Sequence, residues 1–420
     1  MMMKKVVFLF AVVLAFSCSN DDSPVDGGCS THLTSLNIEG GTVYTGEILS
    51  FPKPVLCNSQ ELKVLVNGKE VALTAGDNNE VFFTVPPITE TTATFTIQAG
   101  GSEVYAGPVS VIKAYGTWKI VAQFPGDGRL NMEGFGTSTD GYLFGGIAYQ
   151  GTDFTDYKDL YKYNAADNAW TLVTTGASLS TTNGALVGNA LFLDGAKYSI
   201  TDNTFSPLSF LPYMGEGSTY WDTRLFANQG NVYAISDINQ NLIMIRHYDP
   251  VEEEWPIVKQ LSYLDNGQPN YFAFDFAIER NGITYIGILQ LNRNTTEVWA
   301  FDGTANTFTK VSSVSTDMNG STHSLKHLFT LGNLAYFMEK GESSQDLNGR
   351  IEIVHAHEYF FVYNFETNVW RKIKTEWPQS MHGAAGFNIG NRGFAGLGAR
   401  EGTTTGFTYQ RSFFEFVPEP

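Results

Sequence analysis

Charged residues are scarce in this chain, and basic ones most of all. Of 420 residues only 16% are Asp, Glu, Lys or Arg, and 43 acidic residues against 26 basic ones give a net charge of −17. A chain this acidic has no general electrostatic attraction for nucleic acid or for an anionic membrane surface. Motifs of the forms G-x-S-x-G, G-x-x-x-x-G-K-[ST] and H-E-x-x-H are absent as well, so the sequence offers no nucleophile elbow, P-loop or zincin helix.

Glycine and aromatic residues are plentiful instead. The chain has 42 glycines, 14% aromatic residues and 43% hydrophobic residues. A helical protein of this size would have fewer glycines and aromatic residues and more charged residues. The composition therefore predicts an all-β fold with many tight turns. The hydrophobic fraction excludes intrinsic disorder. The length allows about two or three domains.

The N-terminus has the pattern of an export signal. Two lysines precede an apolar run, Val6–Phe16, that is too short for a transmembrane span of roughly 20 residues. The letters A-F-S-C that end at Cys18 resemble a bacterial lipobox, and the S-N-D-D that follows resembles the acidic signal of surface-exposed Bacteroidetes lipoproteins. The resemblance implies a signal peptide at 1–17, a lipidated tether at 18–29 and a lipid anchor in the outer membrane, with the protein facing outwards. An ordinary secreted protein with an incidental cysteine is the alternative.

Two further cysteines, Cys29 and Cys57, are the only others in the chain. In an extracytoplasmic compartment such a pair is a candidate disulfide. Closing that loop would stabilise the fold by about 3 kcal/mol in the chain-entropy treatment. Two free thiols, or two cysteines too far apart to meet, are the alternative.

Residues 30–114 have the pattern of short alternating strands. The segment ELKVLVNGKEVAL at 61–73 predicts a hairpin whose turn is Asn67–Gly68. About seven strands in this region indicate a small β-sandwich. The order of its VNG, TVP and GPVSV segments resembles the IPT/TIG immunoglobulin-like domain. In that family the domain is a spacer or an interaction module beside a larger functional domain.

From residue 115 to 420 the sequence repeats. An aromatic residue is followed seven places later by a second aromatic, with Asn or Asp between them, in five copies. The pattern predicts a hairpin in which the first aromatic ends one strand and the second begins the next. A second hairpin lies upstream of each copy, so each unit is a four-stranded blade of a propeller. The copies are YNAADNAW (163–170), YSITDNTF (198–205), YDPVEEEW (248–255), FDGTANTF (301–308) and YNFETNVW (363–370).

The first unit resembles a kelch repeat. GYLFGG (141–146) followed by KDLYKYNAADNAW (158–170) has the double glycine, the tyrosine and the spaced tryptophan of that family. The last unit, from GFNIGNRGFAGLG (386–398) to the C-terminus, lacks a fourth strand, which GTWKIVAQF (116–124) can supply. These features predict a six-bladed kelch-like propeller closed by an N-terminal strand. Galactose oxidase, a kelch-type relative, uses a tyrosine cross-linked to cysteine, and residues 115–420 contain no cysteine, so that copper chemistry is excluded.

Polar residues begin the innermost strand of several blades. Aligned on the turn that ends these strands, the residues seven places upstream are Glu133, Thr182, Arg224, Asp275, Lys326 and Ala384, and those nine places upstream include Asp222 and His382. Alternation with apolar neighbours predicts that this set faces a water-filled central channel. An ion-pair network that only holds the blades in register is the alternative. A slip of one residue in the fourth blade would exchange Asp275 for Phe274.

Aromatic residues in the loops above these strands suit a sugar ligand. Trp221, Tyr271 and Trp377 precede the third, fourth and sixth blades, and rings can stack on the C–H faces of a sugar while polar groups bind its hydroxyls. Packing of these rings onto the blade tops is the alternative. Histidines such as His355 and His357 lack further ligands at diagnostic spacing, so neither a metal nor another cofactor is predicted.

Three functions follow from these features. The first is a non-catalytic surface lipoprotein, a monomer or a member of a surface complex, that binds a glycan or a surface protein through the propeller mouth. The second, which the kelch resemblance implies, is a sugar mutarotase or epimerase like the six-bladed kelch sialate epimerases. Its acid–base residues would be Glu133 or Asp275 with Arg224 and His382. The third is a protein-binding scaffold that uses the long insertion at 339–359.

Overall fold

The fold is given by a computed structural model of the chain. The residues described are 36, 38, 41–52, 62–76, 80–150, 153–175, 184–193, 195–208, 223–238, 242–265, 268–269, 272–291, 293–315, 324–339, 343–345, 351–353, 359–374, 377, 383–400 and 408–419. The predicted signal peptide and tether, with Cys18, Cys29 and Cys57, lie outside them.

The described residues form 40 β-strands and no α-helix. The prediction of an all-β fold is therefore confirmed. In the described part of the chain there is accordingly no helix with the length and apolar character needed to cross a membrane.

The first eight strands make two sheets that share one core. A five-stranded sheet has the order β1-β8-β7-β3-β4, with β1 parallel to β8, and a three-stranded sheet has the order β2-β6-β5. Both sheets contribute to a core that includes Phe51, Phe83 and Phe95, and we name residues 36–112 the two-sheet unit. The strands are β1 Thr42–Tyr44, β2 Ile48–Pro52, β3 Leu62–Val66, β4 Lys69–Val71, β5 Thr74–Ala75, β6 Glu80–Thr84, β7 Thr92–Ala99 and β8 Ser102–Ile112.

The predicted hairpin of the two-sheet unit is β3–β4. Asn67 and Gly68 form its turn with φ values of 49° and 75°, the left-handed conformation that a two-residue hairpin turn requires. The Asn67 side chain also accepts a hydrogen bond of 2.8 Å from the backbone N–H of Thr94. The turn is therefore tied to the neighbouring strand β7.

The remaining strands run from Gly116 to Pro418. The first half comprises β9 Gly116–Ile120, β10 Glu133–Gly136, β11 Asp140–Phe144, β12 Ile147–Gln150, β13 Asp153–Asp156, β14 Leu160–Asn164, β15 Ala169–Thr174, β16 Gly184–Val187, β17 Ala190–Leu193, β18 Ala196–Ser199, β19 Thr204–Pro207, β20 Thr223–Asn228, β21 Asn231–Ile238, β22 Leu242–His247 and β23 Ile257–Ser262. The second half comprises β24 Leu264–Asp265, β25 Gln268–Pro269, β26 Phe272–Arg280, β27 Ile283–Gln290, β28 Thr295–Asp302, β29 Thr307–Ser315, β30 Leu325–Leu331, β31 Leu334–Glu339, β32 Ser343–Gln345, β33 Ile351–Ile353, β34 Tyr359–Asn364, β35 Val369–Lys374, β36 Ala385–Ile389, β37 Arg392–Gly396, β38 Ala399–Arg400, β39 Thr408–Tyr409 and β40 Phe413–Pro418.

These strands build six four-stranded antiparallel sheets and four two-stranded ribbons within the described residues. In chain order the sheets, I to VI, are β10-β11-β14-β15, β16-β17-β18-β19, β20-β21-β22-β23, β26-β27-β28-β29, β30-β31-β34-β35 and β36-β37-β40-β9. Sheet VI takes its fourth strand from the N-terminal side, because β9 pairs with β40 and Trp118 lies opposite Phe416. The ribbons are β12–β13, β24–β25, β32–β33 and β38–β39.

The repeated aromatic pairs span the third and fourth strands of their sheets. Tyr163 lies opposite Trp170, Tyr198 opposite Phe205, Phe301 opposite Phe308 and Tyr363 opposite Trp370. The fifth residue after the first aromatic has a left-handed backbone in all five copies, with φ between 49° and 58°; these residues are Asn168, Asn203, Glu253, Asn306 and Asn368. Asparagine adopts this conformation more easily than most residues. In three copies the asparagine side chain also accepts a hydrogen bond from the hydroxyl group of the tyrosine that begins the copy.

The first strands of the six sheets form a closed ring. Each of β10, β16, β20, β26, β30 and β36 contacts the next, and β36 contacts β10. Where β36 meets β10 the backbones nearly touch, because a Cβ on Gly136 would lie 1.6 Å from the carbonyl oxygen of Asn388. An all-β chain of many small sheets in this order is consistent with a propeller.

The two faces of the ring differ. Because neighbouring strands are antiparallel, the turn between the first and second strands of each sheet, and the turn between the third and fourth strands of sheets I to V, lie on one face, the turn face. Connections from second to third strand, and from one sheet to the next, lie on the other, the loop face. All four ribbons of the described residues arise from such connections and therefore lie on the loop face. The residues that begin the first strands also lie there.

Candidate functional site at the centre of the ring

Three charged side chains meet at the loop face. The Glu133 carboxylate lies 2.8 Å from Arg224 Nη2 through Oε1 and 2.5 Å from Lys326 Nζ through Oε2. These residues stand at the start of β10, β20 and β30, the first strands of sheets I, III and V. The three sheets alternate around the ring, so the ion pairs cross the space that the ring encloses.

This ion cluster (Glu133, Arg224 and Lys326) is largely shielded from water. The side chains of Glu133 and Arg224 are 12% exposed and that of Lys326 is 6% exposed. Charges this far from water are held only where opposite charges compensate them. Arg224 Nε is buried and has no hydrogen-bond acceptor among the described residues. The cluster therefore keeps one unused donor.

His327 is a neutral neighbour of the ion cluster. Burial is the main cause that lowers the pKa of its ring from 6.5 to about 3; Glu133 acts in the opposite direction, and Lys326 and Arg224 add to the lowering. The ring lies with Nε2 3.0 Å from Thr330 Oγ1. At neutral pH the imidazole is therefore uncharged and contributes only a neutral donor or acceptor.

Asp275 lies at an irregular position in sheet IV. The pairing of β26 with β27 shifts register between Phe274 and Phe276, so the chain bulges at Asp275. Its carboxylate accepts hydrogen bonds from Thr296 Oγ1 at 2.9 Å, Ser324 Oγ at 2.6 Å and the Leu325 backbone N–H at 3.1 Å. With 1% exposure, Asp275 links sheet IV to the start of sheet V. Ordinary alternation could not foresee this placement, because a bulge changes which face each residue occupies.

Trp377 packs against other aromatic rings. Its ring centre lies 4.1 Å from that of Trp118, 5.4 Å from Phe360 and 5.7 Å from Phe414. Trp377 packs at the edge of the core between sheets V and VI. Its position therefore agrees with the alternative that the loop aromatics pack onto the blades, and not with the expectation that this ring stacks on a sugar. Four other sequence candidates lie outside the described residues, namely Trp221, Asp222, Tyr271 and His382.

A buried arginine near Glu133 was missed from the sequence. Arg129 is 1% exposed and forms an ion pair with Asp159. Its guanidinium lies 3.5 Å above the Tyr157 ring and donates to the backbone carbonyl of Gly145. It therefore fixes the segment that leads to Glu133 against the base of ribbon β12–β13. Gly145 belongs to the double glycine of the kelch-like motif. This link to a recognisable motif was the only feature of the sequence that could have drawn attention to Arg129.

No metal centre is found in the part of the chain that the structure describes. There, no three His, Cys, Asp or Glu side chains are grouped so that they could hold a metal ion. The site that the geometry presents is instead a largely buried set of charges of both signs at the loop face.

Comparisons with known proteins find partial matches between this chain and two curated proteins. No family model matches it. A stretch of 95 residues is 37% identical to a protein named N-acetylneuraminate epimerase from Pasteurella multocida (strain Pm70), covering 21% of this chain and 24% of that protein. A stretch of 162 residues is 27% identical to a protein of the same name from Yersinia enterocolitica serotype O:8 / biotype 1B (strain NCTC 13174 / 8081), covering 36% and 39%. The matches thus span about a quarter and two-fifths of those relatives.

Three solved structures that the chain matches have low sequence identity and TM-scores below 0.5. A structural genomics protein of unknown function from Bacteroides thetaiotaomicron VPI-5482 has a TM-score of 0.41 at 10% identity, covering 90% of this chain and 96% of that one. A structure titled YjhT has a TM-score of 0.32 at 12% identity, covering 78% and 92%. A fungal alcohol oxidase of the AA5 family, in complex with copper, has a TM-score of 0.39 at 9% identity, covering 73% and 77%.

Proposed function

We propose that the six sheets are the blades of a kelch-like propeller and that the two-sheet unit is an immunoglobulin-like sandwich of the IPT/TIG type. The closed ring of first strands supports the six blades, and β9 acts as the closing strand. Two sheets packed on one core support the sandwich. The domain limits are those expected from the sequence, 30–114 and 115–420.

The function that this geometry supports best is carbohydrate binding at the loop face. One observation carries it: Glu133 holds Arg224 and Lys326 across the centre of the ring, with Arg224 Nε unused. Guanidinium and ammonium groups bind carboxylates strongly when water is excluded. An ionised carboxylate accepts hydrogen bonds from hydroxyl groups. The ion cluster therefore suits an acidic sugar, which has a carboxylate as well as hydroxyl groups. The names of the two curated relatives agree with that class of ligand.

Sugar epimerisation is the second candidate, because both curated relatives are named for it. At an anomeric carbon the reaction needs a base that takes the hydroxyl proton and an acid that protonates the ring oxygen, so that the ring opens and closes again. In this candidate function Glu133 would take that proton, and Lys326, which pairs with it, would donate one. Asp275 is less suited as the base, since it is buried and already accepts three hydrogen bonds.

Ligand binding by the unlipidated chain, residues 24–420, tests the main proposal. Titration calorimetry with N-acetylneuraminate and with neutral N-acetylhexosamines should show binding of the acidic sugar. Arg224→Ala should weaken it at least about tenfold, which corresponds to about 1.4 kcal/mol. Arg280→Ala is the matched control, because Arg280 ends β26 at the turn face and should bind as the parent does. Absence of binding to any acidic or neutral sugar, on a glycan array as well, would overturn the proposal.

Anomeric NMR signals separate the two candidates. Acceleration of the exchange between anomers by the parent chain, lost in Glu133→Gln, would identify an epimerase. Binding without acceleration would identify a binding module.

We also propose that the chain is a lipoprotein anchored through Cys18 and displayed outside the outer membrane. The lipobox-like sequence and the acidic residues after it support this. Metabolic labelling with a radioactive fatty acid should mark the parent chain but not Cys18→Ser, and protease added to intact cells should digest the parent. An unlabelled parent chain would contradict the lipid anchor.

A further inference from the structure

The two-sheet unit is joined to sheet V by the turn between β1 and β2. The Lys374 backbone N–H donates to the Gly46 carbonyl at 2.7 Å, and Glu47 forms a β-bridge with Ile373 of β35. Gly46 has a φ of +81°, and a Cβ there would lie 2.7 Å from Ile373 Cγ2. Only glycine fits this approach, so the turn is shaped to the edge of sheet V.

A buried ion pair spans the same junction. Glu47 Oε1 lies 2.9 Å from Arg371 Nε, and both side chains are 9% exposed. The other oxygen, Oε2, accepts the Tyr44 backbone N–H at 2.8 Å. A charge buried to this extent is strongly unfavourable without its partner. Either half of the junction is therefore complete only when the other half is folded against it.

The two parts of the chain also share a hydrophobic core. Tyr44 is 2% exposed, and its hydroxyl oxygen accepts a hydrogen bond of 2.9 Å from Asn364 Nδ2 in sheet V. The Tyr336 hydroxyl donates to the Ala114 carbonyl at 3.0 Å. Tyr44 and Ala114 belong to the same cluster as Phe416 of sheet VI and several side chains of sheet V. The unit thus lies over the seam between these two sheets.

That seam is where the ring is closed. Strand β9 follows the two-sheet unit directly and completes sheet VI, and its Trp118 lies 5.9 Å from Phe329 and 5.7 Å from Phe360 of sheet V. We propose that the two-sheet unit is a clasp that locks this seam, so that unit and ring unfold together. This differs from the spacer role that the IPT/TIG resemblance implies, and it does not depend on sugar binding.

Tryptophan fluorescence tests the clasp, because all seven tryptophans lie between residues 118 and 377, outside the two-sheet unit. Phe95→Ala removes a fully buried ring from the core of the two-sheet unit, far from the tryptophans in sequence. If the unit is a clasp, the guanidinium midpoint of the tryptophan transition should fall by about 0.3 M or more. Gly46→Ala, which disturbs the junction alone, should lower it as well.

Lys69→Ala in the exposed β3–β4 hairpin is the control and should leave the tryptophan midpoint unchanged. An unchanged tryptophan midpoint in Phe95→Ala, with an earlier separate transition in circular dichroism, would show an independent spacer and overturn the proposal. The same holds if the two-sheet unit of that variant fails to fold while the ring keeps the parent midpoint. A lowered midpoint in both variants supports the clasp.

Discussion

Asn168 provides a direct test of the repeated turn. Its backbone has a φ of 49°, and its side-chain Oδ1 accepts the Tyr163 hydroxyl at 2.9 Å and the Ala122 backbone N–H at 2.8 Å. Ala122 follows β9, so this asparagine also joins sheet I to the segment that closes sheet VI. Alanine at this position would have to hold a left-handed backbone, at about 1 kcal/mol. It would also lose two partly exposed hydrogen bonds, at about 1 kcal/mol together.

We therefore expect Asn168→Ala to lower the free energy of unfolding by about 2 kcal/mol. Asn168→Gly removes the hydrogen bonds without the backbone strain, so it should lose about 1 kcal/mol. Asn168→Asp keeps an acceptor and tolerates the conformation, so it should stay near the parent. Guanidinium unfolding followed by the fluorescence of the nearby Trp170 measures the series, with Asp167→Ala in the same turn as control. Equal destabilisation by Gly and Ala, or an Ala variant within about 0.5 kcal/mol of the parent, would refute the reasoning.

Three further expectations concern the ring. The pKa of His327 is about 3 in the folded state and 6.5 in the unfolded state, so this histidine lowers the free energy of unfolding as the pH falls from 6.5 towards 3, by up to about 1.4 kcal/mol per pH unit. His327→Gln should reduce that pH dependence in urea unfolding measured at a series of pH values. An unchanged pH dependence would contradict the assignment. Gly136→Ala should lower the free energy of unfolding, measured by thermal melts, by more than about 2 kcal/mol, because the new Cβ would clash with the Asn388 carbonyl. Gly188→Ala is the control: a Cβ there has no atom within 4 Å, so this variant should show only the backbone strain of a left-handed alanine. Glu133→Ala should lose about 3 kcal/mol by removing the carboxylate that compensates two largely buried cations, and Glu133→Gln should lose less. Two variants as stable as the parent would show that the ion cluster does not couple the sheets.

Local signals in the sequence carried the strand pattern. The aromatic pairs, the Asn turns and the Asn67–Gly68 hairpin depend on residues within about eight positions of each other, and periodicity captures such contacts. The missing strand of the last unit was inferred from its incomplete repeat, and β9 pairs there with β40. Glu133, Arg224 and Lys326 were found because they occupy one repeat position.

Features that depend on distant contacts gave no such signal. The bulge at Asp275 moves a polar residue out of the simple alternation. The junction between Glu47 and Arg371 joins residues more than 300 positions apart, and nothing in the local sequence of either residue marks it. Arg129 stands in a loop, GDGRL, whose composition predicts only a turn, and its burial results from the packing of Tyr157 and Asp159.

The difference between the two faces of the ring determines where the sequence can accept insertions during evolution or engineering. On the turn face, left-handed asparagines and short turns leave no room for added residues without loss of strand register. On the loop face, ribbons of different length already arise from sheets I, V and VI and from the connection between sheets III and IV. Insertions, peptide tags or recombined segments should therefore be tolerated on the loop face. New ligand specificity can thus be acquired on that face while the ring beneath it keeps its sequence.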